Sequence, residues 1–204
     1  GKGKLADYTL AELKQLYLKD KSGNLTPYRI PTLTEALKWA KGKTILNFDK
    51  KDVPLPMLAK AIKEHKAESY TMITVHNGAD ALFHYQQNPQ VMFSAFVKTP
   101  EQLAEYEKVG IPSSQMMAYI GSTIRPENQA LYQLLNGKGI MCMISSAPSY
   151  DKLPTAAERA TAFQNIIKDG ATVLESDLPI ETGKALNSTV FPKTKKSKYY
   201  KIQK

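Results

Sequence analysis

Ile140-Met141-Cys142-Met143-Ile144 is apolar at every position. An unbroken apolar run of strand length suits a strand covered on both faces, as in a parallel sheet; a strand with one wet face alternates instead. Outward from this stretch, runs of the same kind recur at residues 44–49, 70–76, 91–97, 116–120 and 172–176, with 140–145 completing six. Helical segments separate them and carry their own start signals. Thr9-Leu10-Ala11-Glu12, Thr32-Leu33-Thr34-Glu35 and Thr155-Ala156-Ala157-Glu158 read as capping boxes, in which the threonine oxygen takes an orphan amide and the glutamate reaches back. Thr99-Pro100-Glu101-Gln102 repeats the pattern with glutamine and sets proline at the first helical position. Gly137 and Gly170 mark helix ends, and Ala160, Phe163, Ile166 and Ile167 fall on one helical face.

The pattern is a repeated βα unit with a parallel sheet, an α/β fold. Residues before Lys43 are expected to supply helices and loops but no strong strand. Six strands are compatible with an open doubly wound sheet. They are equally compatible with a barrel short of two strands, since a closed (β/α)₈ barrel needs eight and usually about 250 residues. No G-x-G-x-x-G or Walker-type lysine loop follows any strand, which removes the support for a nucleotide-binding fold.

The chain has 204 residues, of which 42% are hydrophobic and 23% charged, so it carries enough apolar side chains for one real core and is not a disordered chain. No run of about 18 apolar residues exists that could span a membrane, and the first 21 residues are polar and lysine-rich, unlike a signal peptide. The single cysteine, Cys142, excludes an intramolecular disulfide and a cysteine-rich zinc site. The net charge of +9 invites a nucleic-acid reading, but six of those charges are lysines in the segment 188–204, read here as a basic C-terminal tail following a domain at 1–187. No nucleic-acid partner is expected: such a tail is more often a frayed, solvated end.

Chemistry is expected at the carboxyl ends of the strands in either architecture. The first strand leads into Asn47-Phe48-Asp49-Lys50-Lys51, with Asn47, Asp49 and Lys51 on one side by alternation. An acid followed two residues later by lysine suits a divalent metal and a phosphate oxygen held side by side, or a plain strand-end ion pair. His76 closes the second strand as a candidate ligand or base, or as a structural histidine. His65 and His84 read as surface or packing residues. At the last strand Asp177 is expected to cap the next helix, with Glu175 or Asp177 the alternative site-facing acid. Arg29 and Arg125 lie in loops where either suits an anion. The strand methionines read as core.

Four stretches in order resemble the glycerophosphodiester phosphodiesterases. Gly1-Lys2-Gly3 followed by Thr9-Leu10-Ala11-Glu12-Leu13 resembles that family's glycine-rich turn and T-L-x-E-L. Ile30-Pro31-Thr32-Leu33-Thr34-Glu35-Ala36-Leu37 resembles its I-P-T-L-E-E-x-L, Leu46-Asn47-Phe48-Asp49-Lys50-Lys51 its L-N-I-E-x-K, and Glu175-Ser176-Asp177-Leu178-Pro179 its closing x-T-D-x-P. The resemblance runs from Gly1 to about Leu186. It implies a TIM-type barrel and metal-dependent hydrolysis of glycerophosphodiesters to glycerol 3-phosphate and an alcohol. It also implies Asp49 as a metal ligand one methylene shorter than the family's glutamate, and Lys51 as the phosphate-binding lysine. The implied cofactor is a divalent metal, magnesium or calcium.

The family's H-R-G, E-N-T, E-x-D and H-D motifs, which belong to its first two strands, are absent. This agrees with the count of six strands, and the expectation is an N-terminally truncated barrel lacking its first two strands. No catalytic residue is retained by the resemblance, so this chain alone is expected to be inactive and to bind metal weakly or not at all. Open barrel edges make self-association an expected partner mode. Export to the periplasm or the outside is the expected localisation if a signal peptide precedes Gly1. The competing reading is a non-catalytic barrel fragment that binds phosphate or a protein partner.

Overall fold

In the computed structural model, which describes residues 2–49 and 51–189, a six-stranded parallel sheet follows an N-terminal helical turn and hairpin. The sheet strands are β3 (Leu46–Phe48), β4 (Thr71–Val75), β5 (Met92–Phe96), β6 (Met116–Gly121), β7 (Met141–Ser145) and β8 (Val173–Glu175). They pair in chain order, every neighbour parallel. The six runs read from the sequence are these six strands. The sheet is curled into a half-barrel, two strands short of a closed one, with β3 and β8 as its outer strands. The barrel reading therefore holds over the doubly wound one.

Helices α2 (Leu33–Ala40), α3 (Leu55–Glu64), α4 (Gly78–Gln87), α5 (Pro100–Lys108), α6 (Asn128–Gly137), α7 (Ala156–Asp169) and α8 (Pro179–Ala185) connect or follow the strands. The three threonine–glutamate boxes form as read, at α2, α7 and the short α1 (Leu10–Leu13). At α5, Thr99 takes the Gln102 amide, but the Gln102 side chain accepts from the Lys98 amide at 2.7 Å, one residue further back than expected. Gly170 ends α7 at φ +128°, and a side chain there would also press on the Tyr132 ring, 2.9 Å from its added Cβ. Gly78 lets α4 approach α5: a Cβ would lie 2.9 Å from the Glu105 carbonyl oxygen. Among the described residues no helix is long and apolar enough to cross a membrane.

Residues before Lys43 do hold strands. An antiparallel hairpin joins β1 (Tyr17–Lys19) to β2 (Leu25–Arg29). Its turn is made by Asp20, whose Oδ1 accepts the amides of Ser22 and Asn24 at 2.9 and 2.8 Å. The hairpin is largely exposed, so it lacks the buried run or alternation that marks a strand in sequence.

Alternation along the strands sorts two different faces. The convex face carries Ile73, Val75, Phe93, Ala95, Ala118, Ile120, Cys142 and Ile144, packed against Leu37, Ile62, Leu103, Tyr106, Leu135 and Ile166 of the helices. Phe163 and Ile166 of α7 are fully buried, and Ala160 and Ile167 partly so. The concave face carries methionines at its base, with Met72 beside Met92 and Met117 beside Met141 in register. Above them stand Thr74, Ser94 and Tyr119. The apolar runs are thus continuous because flexible methionines fill the barrel interior while branched and aromatic residues face the helices.

Burial has an alkaline consequence. It pushes the Cys142 thiol from its ordinary 9.0 up to about 12, and the Tyr106 phenol from 10.0 up to about 12. A raised folded-state pKa means the neutral form is favoured on folding. That stabilisation is complete below about pH 9 and is lost as pH rises toward 12. The melting temperature is expected to fall steeply between pH 9 and 11 and to stay flat from 7 to 8; thermal melts across that range check it.

Candidate active site

The strand ends converge on a cavity of about 310 Å³ lined by Asn47, Asp49, Thr74, Ser94, Phe96, Tyr119, Met143, Ser145 and Glu175. Every strand of the half-barrel contributes at least one lining residue, and Asp49 joins them from just after β3. Asn47 is held by the Thr74 hydroxyl, which donates to its Oδ1 at 3.3 Å. Asp49 reaches the rim one alternation further on. Lys51 Nζ lies 2.6 Å from Asp49 Oδ2, with both side chains well exposed (75% and 58%). Asp49 pushes the lysine pKa up, keeping the ammonium charged. Lys51 lines a small adjoining cleft with Asp49 and not the main cavity.

Glu175, on the opposite outer strand, is the acid that faces the cavity; Asp177 does not line it. Asp177 also fails to cap α8, whose cap residue is Leu178; the Ser176 hydroxyl takes the Leu178 amide instead, at 2.9 Å. Burial, aided by the charge of Glu175, pushes the Tyr119 phenol pKa up. The β8 end is fixed by Asp151 in the loop after β7. Asp151 Oδ2 accepts the Ser176 hydroxyl at 2.9 Å and the Asp177 amide at 2.7 Å, and its Oδ1 lies 2.5 Å from Ser146 Oγ. Loss of this acceptor strands the Ser176 hydroxyl and the Asp177 amide, while the Ser146 hydroxyl still has the Glu175 carbonyl at 2.9 Å. Asp151→Ala is expected to cost about 2–3 kcal/mol, read from urea unfolding, because hydrogen bonds to a charged acceptor are worth about 1.5–3 kcal/mol.

None of the lining residues is a histidine. His76 is exposed and stacks on Phe96, ring centroids 4.2 Å apart. His65 Nε2 pairs with the Thr34 hydroxyl at 3.1 Å. His84 is fully buried, edge-on to Phe83. Arg29 lies over the Tyr17 ring and donates to the Gln15 carbonyl, so it belongs to the hairpin. Among the described residues no group of three His, Cys, Asp or Glu side chains is placed to hold a metal ion. Asp49 and Glu175 sit on opposite edges of the sheet, and Asp49 is already ion-paired, so the described residues do not make a complete divalent-cation site. The basic tail at 188–204 lies, beyond Thr189, outside the described residues.

A second cavity, of about 260 Å³, adjoins the first and shares Tyr119 with it. It is lined by Lys98 after β5, by Ile120 and Gly121 of β6, and by the loop that carries Ser122, Thr123, Arg125 and Glu127 into Asn128. Nothing in the spacing of Lys98 and Arg125 announces this pairing; the parallel register of β5 and β6 creates it.

A curled parallel sheet with polar side chains gathered at its carboxyl ends defines a TIM-type barrel scaffold. Comparison with solved structures makes it specific. A crystal structure of a glycerophosphoryl diester phosphodiesterase from Parabacteroides distasonis superposes with a TM-score of 0.91 at 52% sequence identity, over 98% of this chain and 70% of that one. A second crystal structure, of a glycerophosphodiester phosphodiesterase from the same organism, matches at a TM-score of 0.57 and 19% identity, over 88% of this chain and 71% of that one, and shares the fold. No protein-family profile matches the chain, and no curated protein matches it. The chain belongs to the glycerophosphoryl diester phosphodiesterase family.

Proposed function

We propose that these 204 residues supply the substrate-binding part of a metal-dependent glycerophosphodiester hydrolase, and that alone they do not turn substrate over. The observation that carries the reading is the 52% identity to a glycerophosphoryl diester phosphodiesterase over nearly the whole chain. Lys51 is the phosphate-binding group: a charged, exposed ammonium in the narrow cleft beside the cavity, paired with Asp49, which lines both, and suited to oxygens that gain negative charge as the ester bond breaks. Asp49 is the one carboxylate the chain offers to a magnesium or calcium ion beside that phosphate. Such an ion, when bound, supplies Lewis-acid stabilisation of the phosphoryl oxygens. Among the described residues the proton-carrying side chains that line the cavity are Asp49, Glu175 and Tyr119, and no histidine joins them.

Calorimetric titration with glycerol 3-phosphate tests the assignment. Lys51→Ala is expected to weaken binding roughly ten- to hundredfold, the worth of one charge-assisted hydrogen bond. Lys51→Arg should retain most of the affinity. Unchanged affinity in Lys51→Ala overturns the role. The histidine-free cavity favours a second reading, a non-catalytic fragment that binds phosphate or a protein partner. Equal affinity for glycerol 3-phosphate and inorganic phosphate favours that reading over the first.

A further inference from the structure

We propose that the second cavity is the subsite for the alcohol arm of the diester, and that it selects alcohols bearing an anionic group over cationic ones. The proposal rests on the glycerophosphodiester reading above and goes beyond it in naming the alcohol's charge.

Two cations and one acid line this cavity: Lys98, Arg125 and Glu127. No ion pair engages Lys98 or Arg125 among the described residues; the Arg125 side chain is held by Thr123, with Nε 3.3 Å from its Oγ1. An unpaired lysine and arginine on one concave wall favour a carboxylate or phosphate, and the guanidinium matches such groups with two parallel donors. The hydroxyls of Ser122 and Thr123 add polar partners.

The aromatic residues point the same way. Phe96 and Tyr119, centroids 4.6 Å apart, both line the first cavity and Tyr119 the second as well, and alone they would suit a quaternary ammonium such as choline. Lys98 Nζ already lies over both, 5.8 Å from the Phe96 centroid and 5.6 Å from that of Tyr119. Phe96 is also engaged in the stack with His76. A cationic headgroup arriving here meets a lysine charge where it would seek a ring face. An anionic one meets two cations. Tyr119 lines both cavities, so a ligand with its phosphate in the first has the second beside it.

The test is a charge series titrated calorimetrically into the 204-residue chain: glycerophosphoinositol 4-phosphate, glycerophosphoinositol and glycerophosphocholine, with glycerol 3-phosphate as the arm-free control. The phosphorylated inositol diester is expected to bind at least tenfold tighter than its neutral counterpart, and the choline diester weakest. Lys98→Gln with Arg125→Gln is expected to collapse the series to within about threefold while leaving glycerol 3-phosphate affinity unchanged. Both side chains are exposed, so the double variant should fold, and Lys98→Arg should preserve the series. Choline binding as tightly as the anionic diester, or a double variant that keeps the ranking, overturns the subsite and leaves the phosphodiesterase reading intact. Failure to bind glycerol 3-phosphate as well overturns that reading, and the subsite with it.

Discussion

Purified as these 204 residues and supplied with magnesium or calcium, the protein is expected to release glycerol 3-phosphate from glycerophosphodiesters at least about 10⁴-fold more slowly than a family member that has both proton-transfer groups. The argument is geometric. Hydrolysis of a phosphodiester needs a group to move a proton to the leaving alkoxide and one to activate the attacking water, each worth about 10²–10⁴-fold when well placed. His76 packs on Phe96, His65 is bound to Thr34, and His84, fully buried, lines only the narrow cleft beside Asp49 and Lys51, so no imidazole lines the main cavity. Asp49 follows one outer strand and Glu175 ends the other, and among the described residues no third His, Cys, Asp or Glu joins them to hold a metal ion. Loss of two such groups predicts a deficit of about 10⁴-fold or more relative to a family member that has them. A coupled assay for glycerol 3-phosphate checks it. Turnover within about 100-fold of the family's would place His76 in catalysis, and His76→Ala would then abolish it.

The second large effect is on stability. Phe93→Ala is expected to remove about 3–5 kcal/mol, the usual cost of deleting a fully buried aromatic ring. Phe93 is 0% exposed at the centre of the convex face, flanked in register by Ile73 and Met116. The total stability of a domain is about 5–15 kcal/mol, so the variant should be unfolded or close to it at 37 °C. Circular dichroism melts read the outcome. Phe93→Leu, which keeps most of the volume, should retain the fold. A Phe93→Ala loss under about 1 kcal/mol would mean that the convex face is not the core.

The sequence and the structure agree where burial is strong on both sides of an element. All six sheet strands were legible from apolar runs, and the helix starts from threonine–glutamate pairs, because both signals are local. Three things were not legible. The Tyr17–Arg29 hairpin is too exposed to write a period into its residues. The two faces of the sheet are both apolar at their base, so alternation did not announce that Met72, Met92, Met117 and Met141 line the interior. The second cavity joins Lys98 to Arg125 across two strands, a proximity that only the register creates. Of the candidate site, Asp49 and Lys51 were visible as a spaced acid–lysine pair, and Arg125 as a loop cation. Glu175 was separated from Asp177 by the Asp151 clamp, whose residue lies far from both in sequence.

Strand order that follows chain order also governs how the molecule assembles. Partners such as Met72 with Met92, or Met143 with Val173, are about 20 to 30 residues apart, so every pairing closes a short loop and none waits for a distant segment. Contacts of such limited sequence range favour rapid folding for a parallel sheet. During synthesis each new strand finds its neighbour already in place, and the sheet can grow from β3 toward β8 in the order in which the ribosome delivers it.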